Sequence, residues 1–324
     1  MVENTIRRIN YLRISVTDRC NERCLYCLPE GFKDWKPREE ILRFEEILAV
    51  VRAAIRLGFQ RFRVTGGEPL VRQDVELFIR DLIAEPGVQH VGLSTNGTRL
   101  EALAAPLAAA GLRHANISLD TVDAEAYRRI TGGRLADVLA GIHAAQRAGI
   151  HHLKLNAVLM RGVNESQIWP LIEFAAANRL VLRFIELMPV SKSEVLDESN
   201  FFPVGQAQAV IRERTRLEAD SAHYGHGPAV YFRLPEYGVS VGFIGAITNL
   251  HFCDACNKMR LTADGKIRPC LGQHLEIDLK PGLRPMVSEE RLQAGFGEAL
   301  RIKPLEHGFR DQYQPQRIMT AIGG

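Results

Sequence analysis

The chain has 324 residues, long enough for one large α/β barrel or two ordinary domains. Its hydrophobic fraction of 46% and charged fraction of 24% are those of a soluble globular protein, and a net charge of +3 is too small for general nucleic-acid adhesion. Met1–Arg8 lacks the apolar core of a signal peptide and no run approaches membrane-spanning length, so the expected location is the cytoplasm, with neither membrane nor nucleic acid as a partner.

Apolar, β-branched runs alternate with amphipathic stretches from residue 11 to about 190. Tyr11–Thr17 reads as the first strand, followed by a loop with Cys20, Cys24 and Cys27, then a helix over Phe44–Arg56 closed by Gly58. Arg61–Thr65 is the second strand, Gly66-Gly67-Glu68-Pro69 its loop, and Asp74–Ala84 its helix. His90–Ser94 ends in Thr95-Asn96-Gly97 and precedes a helix over Leu100–Ala110. Ala115–Leu119 is the fourth strand, with most of the next helix over Ala136–Ala148. Leu153–Leu159 and Leu180–Leu187 are the fifth and sixth, separated by a helix at Ile168–Ala177.

Six βα units predict a parallel sheet with crossover helices, a signal that a doubly wound sheet and a partial (β/α) barrel share. Polar and glycine motifs after most of the strands, rather than at one switch point, favour an incomplete (β/α)6 barrel. Beyond Pro203 the regularity breaks into a helix over Gly205–Arg214 and strands at Val230–Phe232 and Val239–Ile244. We expect a barrel over 1–225 and a C-terminal α+β domain over 226–324 that closes the barrel mouth and carries the second cysteine group.

The six cysteines form two triads, 20/24/27 and 253/256/270, a pattern typical of metal ligands in a reducing compartment rather than of long-loop disulfides. The first, C-x3-C-x2-C, has no fourth ligand nearby. A cluster held there keeps one iron open, as a catalytic site requires; a zinc staple would have to borrow a distant ligand. The second is C-x2-C-x13-C, flanked by His251 and His274, and by spacing alone a structural Cys3His zinc is the better reading. Gly-Gly at 66–67 is by itself a turn, and Met188 by itself a core residue.

The first triad, with Tyr26 just before its third Cys, resembles the radical S-adenosylmethionine (SAM) superfamily. That resemblance implies a 4Fe–4S cluster whose open iron is chelated by SAM, with Tyr26, Gly67, Ser118 and Met188 as SAM contacts. Phe252–Gly265 with Cys270-Leu271 resembles, more narrowly, the C-terminal cluster segment of the GTP 3′,8-cyclases, which begin molybdenum cofactor biosynthesis. The likeness continues through Ser15–Cys20, Arg63–Leu70, Ser94–Gly97, Asn116–Asp120, Arg183–Met188 and Ile322–Gly324. It implies a second 4Fe–4S cluster on Cys253, Cys256 and Cys270 that takes the guanine of GTP. Arg13, Arg63, Ser94, Lys154, Lys258, Met259 and Arg260 are the implied GTP residues, and Gly323 and Gly324 a tail that enters the active site. Ser94 is often Thr in relatives and Lys258 often Arg, so a two-pronged phosphate contact at 258 gives way to a point charge. The family further implies a reductase or flavodoxin-like electron donor and cyclic pyranopterin monophosphate synthase as the next enzyme. A homodimer fits the family but has no signature in the sequence.

Overall fold

A computed structural model describes residues 7–29, 31–191, 198–222, 224–225, 227–311 and 313–323. Six parallel strands stand side by side in chain order: β1 (Tyr11–Ser15), β2 (Arg61–Thr65), β3 (His90–Thr95), β4 (His114–Ser118), β5 (His152–Leu159) and β6 (Val181–Glu186). The crossovers carry α1 (Phe44–Arg56), α2 (Val75–Ala84), α3 (Leu100–Ala109), α4 (Ala124–Thr131) with α5 (Leu135–Arg147), and α6 (Ile168–Ala177). Because the order 1 to 6 never reverses, there is no switch point, and the sheet is a barrel wall rather than a doubly wound sheet.

The remainder of the chain lengthens this wall at both edges. After α7 (Val204–Arg212) come β7 (Glu218–Ala219), β8 (Val230–Leu234) and β9 (Val239–Ile244); β9 runs parallel to β6, and β8 and β7 follow antiparallel. On the other edge β10 (Lys258–Leu261) pairs parallel with β1, followed by β11 (Lys266–Arg268) and β12 (Ile277–Asp278). The chain continues through α8 (Glu289–Arg301) to α9 (Met319–Ile322). The twelve-strand order opens with β12 and closes with β7, which do not pair, so the barrel is incomplete.

Strand alternation divides the side chains into two populations. Leu12, Ile14, Phe62, Val64, Leu93, Ile117, Leu155 and Leu182 are fully buried against the helices. The opposite face presents Arg13, Arg63, Ser94, Asn116, Lys154 and Arg183, all bordering one cavity. A parallel barrel normally fills its interior with branched apolar side chains. Here the interior is polar, and what it surrounds is a ligand space of about 740 Å³, within the usual range for a small-molecule site.

The expected strands and helices are all present, with ends shifted by one or two residues. α4 was not anticipated: Asp123 caps it by accepting from Ala126 N at 2.7 Å, and Gly132 ends it at φ 70°.

Candidate active site

The first triad lies at the C-terminal end of β1, and the glycine loop after β2 packs directly on it. A Cβ at Gly67 would stand 2.3 Å from Arg19 O and 2.6 Å from Asp18 O; one at Gly66 would stand 2.6 Å from Thr17 O. The glycines therefore let the loop press against the cysteine loop's own backbone, and Gly67 N and Glu68 N donate to Thr17 O and Arg19 O at 2.7 and 2.8 Å. Glu68, almost wholly buried, accepts from Leu70 N, Thr95 Oγ1 and Asn96 N at 2.9, 2.8 and 2.7 Å, joining the loops after β2 and β3. Tyr26 donates its hydroxyl to Asp120 Oδ2 at 2.8 Å, bracing the cysteine loop against the end of β4. Tyr127 donates to Glu22 Oε1 at 2.6 Å. Burial pushes Glu22 and Glu68 up to about 7 and Asp120 up to about 6.

The second triad leads into the N-terminal end of β10. Cys256 N donates to Cys253 O at 3.0 Å, closing a turn, while Arg7 reaches Cys253 O at 2.8 Å. Lys303 joins its two limbs: Nζ donates to Lys258 O at 2.9 Å and Pro269 O at 2.7 Å and lies 3.8 Å from Cys256 Sγ. Arg268, 1% exposed, holds the Cys270 turn, donating to Cys270 O at 3.2 Å, Leu271 O at 3.3 Å, Tyr313 Oη at 2.7 Å and Glu276 Oε1 at 3.0 Å. The two flanking histidines turn elsewhere: His251 is exposed and pairs with Asp254 at 2.9 Å, and His274 stacks on Tyr313 at 4.7 Å.

Both triads border the same cavity, and all six cysteines are free thiols. The thiols within each triad are near enough to feel one another's charge. Each triad supplies three thiol ligands at the edge of the cavity, the donor set that a 4Fe–4S cluster with one open iron takes. Burial pushes Cys20 up to about 12 and Cys24 well above the ordinary thiol range, so thiolates there need bound cations to exist. At the second triad burial opposes ionisation of Cys256, but Lys303 and Lys258 outweigh it and lower its pKa.

Between the triads the cavity wall is cationic. Arg63 donates to Tyr11 Oη at 2.8 Å and Leu93 O at 2.6 Å, and it crosses β3 at Gly92, where a Cβ would meet Nη2 at 2.6 Å. Burial, with Arg183 and Arg63 nearby, brings Lys154 down to about 8; burial likewise brings Lys258 down to about 8 and Arg260 to about 10. Arg13 faces Arg260 across the β1–β10 pair and falls well below the usual guanidinium range, through burial first and then Arg260 and Arg63. Ser94, Ser118 and Met188 line the cavity as well. Met259 alternates to the other side and is 1% exposed in the core, leaving its backbone as the part that can meet a ligand. Gly323 lies against Ser15 and accepts from Arg260 Nη1; Gly324 lies outside the described residues.

Lys303 and Arg183 escaped the sequence reading. Arg183, on β6, is 7% exposed, and among the described residues its Nε and Nη2 have no hydrogen-bond partner. Gly242 on β9 makes room for Tyr231 and for Arg183, since a Cβ there would stand 2.6 Å from Tyr231 Cε1 and 3.0 Å from Arg183 Cγ. A glycine interrupting an apolar strand opposite an Arg was the available signal.

A six-stranded parallel wall with a C-x3-C-x2-C loop beyond its first strand defines a class. The Radical SAM superfamily model matches residues 14–175, and the Molybdenum Cofactor Synthesis C model matches 180–309. The fold agrees: a crystal structure of Streptococcus suis SuiB bound to S-adenosylmethionine superposes with a TM-score of 0.61 over 94% of this chain and 68% of that one, at 15% identity. The chain is a radical SAM enzyme. Among curated relatives, the GTP 3′,8-cyclases of Moorella thermoacetica and Pelotomaculum thermopropionicum are 45% and 43% identical, each over 98% of both chains. That of Pseudomonas fluorescens is 41% identical over all of this chain and 98% of its own. The chain belongs to the GTP 3′,8-cyclase family, and it is a SAM- and 4Fe–4S-dependent enzyme of molybdenum cofactor synthesis.

Proposed function

We propose that the cavity holds GTP between the two triads and that the enzyme converts it to (8S)-3′,8-cyclo-7,8-dihydroguanosine 5′-triphosphate, opening molybdopterin biosynthesis. One observation carries the assignment of residues: Arg13, Arg63, Lys154, Arg183, Lys258 and Arg260 surround one cavity that both cysteine triads also border. So many buried cations repel one another, and their common wall stabilises a polyanion placed among them.

Cys20, Cys24 and Cys27 hold the SAM-side cluster, and Cys253, Cys256 and Cys270 the guanine-side cluster. When bound, the first cluster with SAM supplies a one-electron cleavage that yields a 5′-deoxyadenosyl radical able to take hydrogen from C3′ of the ribose. The chain's own part is orientation. Tyr26, Gly67, Ser118 and Met188 border the SAM end, and the cations fix the triphosphate so that the ribose lies between the ends. Gly323 in the tail lies against Ser15 and accepts from Arg260 Nη1, which holds the tail beside one of the cavity's cations. C3′–C8 bond formation leaves one electron and one proton to be supplied. A reductase or flavodoxin-like protein in the cytoplasm is the proposed source of electrons, and cyclic pyranopterin monophosphate synthase the proposed recipient of the product. A homodimer is the proposed assembly, and 1–225 with 226–324 the working division of barrel from auxiliary-cluster portion.

The test is anaerobic incubation of reconstituted protein with SAM, dithionite and GTP. The expected result is a cyclised nucleotide formed together with 5′-deoxyadenosine. Release of 5′-deoxyadenosine indifferent to GTP, with no cyclised product, would overturn the assignment.

A further inference from the structure

Three imidazoles stand in a row at the foot of the barrel wall. His90, His114 and His152 are the first residues of β3, β4 and β5. The centroids of His90 and His114 are 4.4 Å apart, and those of His114 and His152 are 4.3 Å apart with the rings only 8° from parallel. All three line the cavity that holds Arg63, Lys154 and Arg183. The pleat puts His152 on the same face as Lys154, two residues further along β5, and His90 on the same face as Gly92, where Arg63 crosses. The row therefore extends the cationic wall toward the strands' N-terminal ends, from half-buried His90 and His114 to exposed His152.

The second triad also lies at this end of the wall. Cys253 and Cys256 precede β10, whose first residue, Lys258, pairs with Tyr11, the first residue of β1, and Cys270 follows the antiparallel β11, which returns to the same end. The first triad lies beyond the opposite end of β1. The triad and the row thus border one cavity at the same end of the strands, with Arg63, on β2, on the wall between β10 and the row's first strand, β3, and Lys154 on the row's last strand, β5.

Resting on the reading that GTP occupies this cavity, we propose that the His90–His114–His152 row binds the terminal phosphate, so that the enzyme distinguishes GTP from GMP at this row. Imidazole suits the role. An imidazole carries an N–H in either tautomer, a donor suited to phosphate oxygen, and the stacked rings of His114 and His152 lie nearly parallel side by side.

The experiment is calorimetric titration of the anaerobic holoenzyme with GTP and with GMP, alongside steady-state kinetics, for wild type, His114→Phe, His152→Phe and His152→Gln. Phenylalanine keeps a stacking ring and removes its N–H groups; glutamine keeps an N–H donor and gives up the ring. We expect each Phe variant to weaken GTP binding about tenfold. GMP affinity stays unchanged, KM for GTP rises while kcat holds, and His152→Gln restores part of the preference. Because His152 is exposed, its variants test the row even if His114→Phe fails to fold. Equal weakening of GTP and GMP, or an unchanged preference, overturns the row's role. A wild type that binds no guanine nucleotide overturns the reading of the cavity, and the row's role with it.

Discussion

Arg183 is a cation held in the barrel wall at a cost to the empty protein. It is buried beside Arg63, and two of its nitrogens are unsatisfied among the described residues. Leaving a buried donor unpaired costs about 1–3 kcal/mol, and Tyr231 is a partial compensating contact. Arg183→Met replaces the guanidinium with an unbranched apolar side chain that can follow the same path past Gly242. Ligand-free protein should gain roughly 1–3 kcal/mol, seen as a rise in Tm of about 1–5 °C. The same change removes a charge-assisted contact worth about 1.5–3 kcal/mol to a bound triphosphate, so GTP should bind roughly 10- to 150-fold more weakly. Thermal melts without nucleotide and calorimetry with GTP measure the two effects on one preparation. A lower Tm together with unchanged GTP affinity would show that Arg183 is a structural strut and that the cationic wall is not a phosphate site.

Gly67→Ala places a methyl 2.3 Å from a backbone oxygen of the cysteine loop, so it should cost about 1–3 kcal/mol or more and lower iron retention at the first triad; iron assay after desalting checks this. Arg268→Met strips the Cys270 turn of its hydrogen bonds, so reconstituted iron should fall from about eight to about four per chain, with the loss confined to the second cluster in its electron paramagnetic resonance signal. The raised carboxyls Glu22, Glu68 and Asp120 make the fold bind protons more tightly than the unfolded chain, whose carboxyls titrate near 4. Their contribution is fully present below about pH 4 and is lost as pH rises through about 6 to 7. Metal-free protein should therefore melt higher near pH 5 than near pH 8, and Asp120→Asn should flatten that slope; a Tm that climbs with pH across this window would contradict the assignment.

The six strands and their helices were legible because each strand's helix-facing residues are apolar and the crossover helices end near Gly or Pro, except α6, which closes through Asn178 and Arg179. The cysteine triads were legible from spacing, and Arg13, Arg63 and Lys154 from being charges inside such strands. Other features depend on three-dimensional pairing. Nothing local to residues 258–261 says that this strand will lie parallel to residues 11–14, yet that pairing brings the second triad to the foot of the barrel. Lys303 and Arg268 look like ordinary surface charges in sequence; their burial follows from packing against cysteine turns. Glu186 is similar. It accepts from Val204 N at 3.1 Å, Ile247 N at 2.8 Å and Thr248 N at 3.0 Å, tying the end of β6 to the segment before the second triad, though the sequence offered it only as a strand end.

The parallel pairing of β10 with β1 also sets a timetable for the ribosome. Tyr11–Ser15 is among the first described segments to be translated, but Lys258, its partner on one side, comes far later in the chain. At about 5–20 residues per second, that edge waits on the order of 10–50 s with its backbone groups unpaired. An open apolar strand edge is a template for pairing with another chain. Slow elongation, or truncation before Leu261, should therefore drive nascent chains of this enzyme into aggregates, whereas a cut after β10 leaves the β1 edge covered.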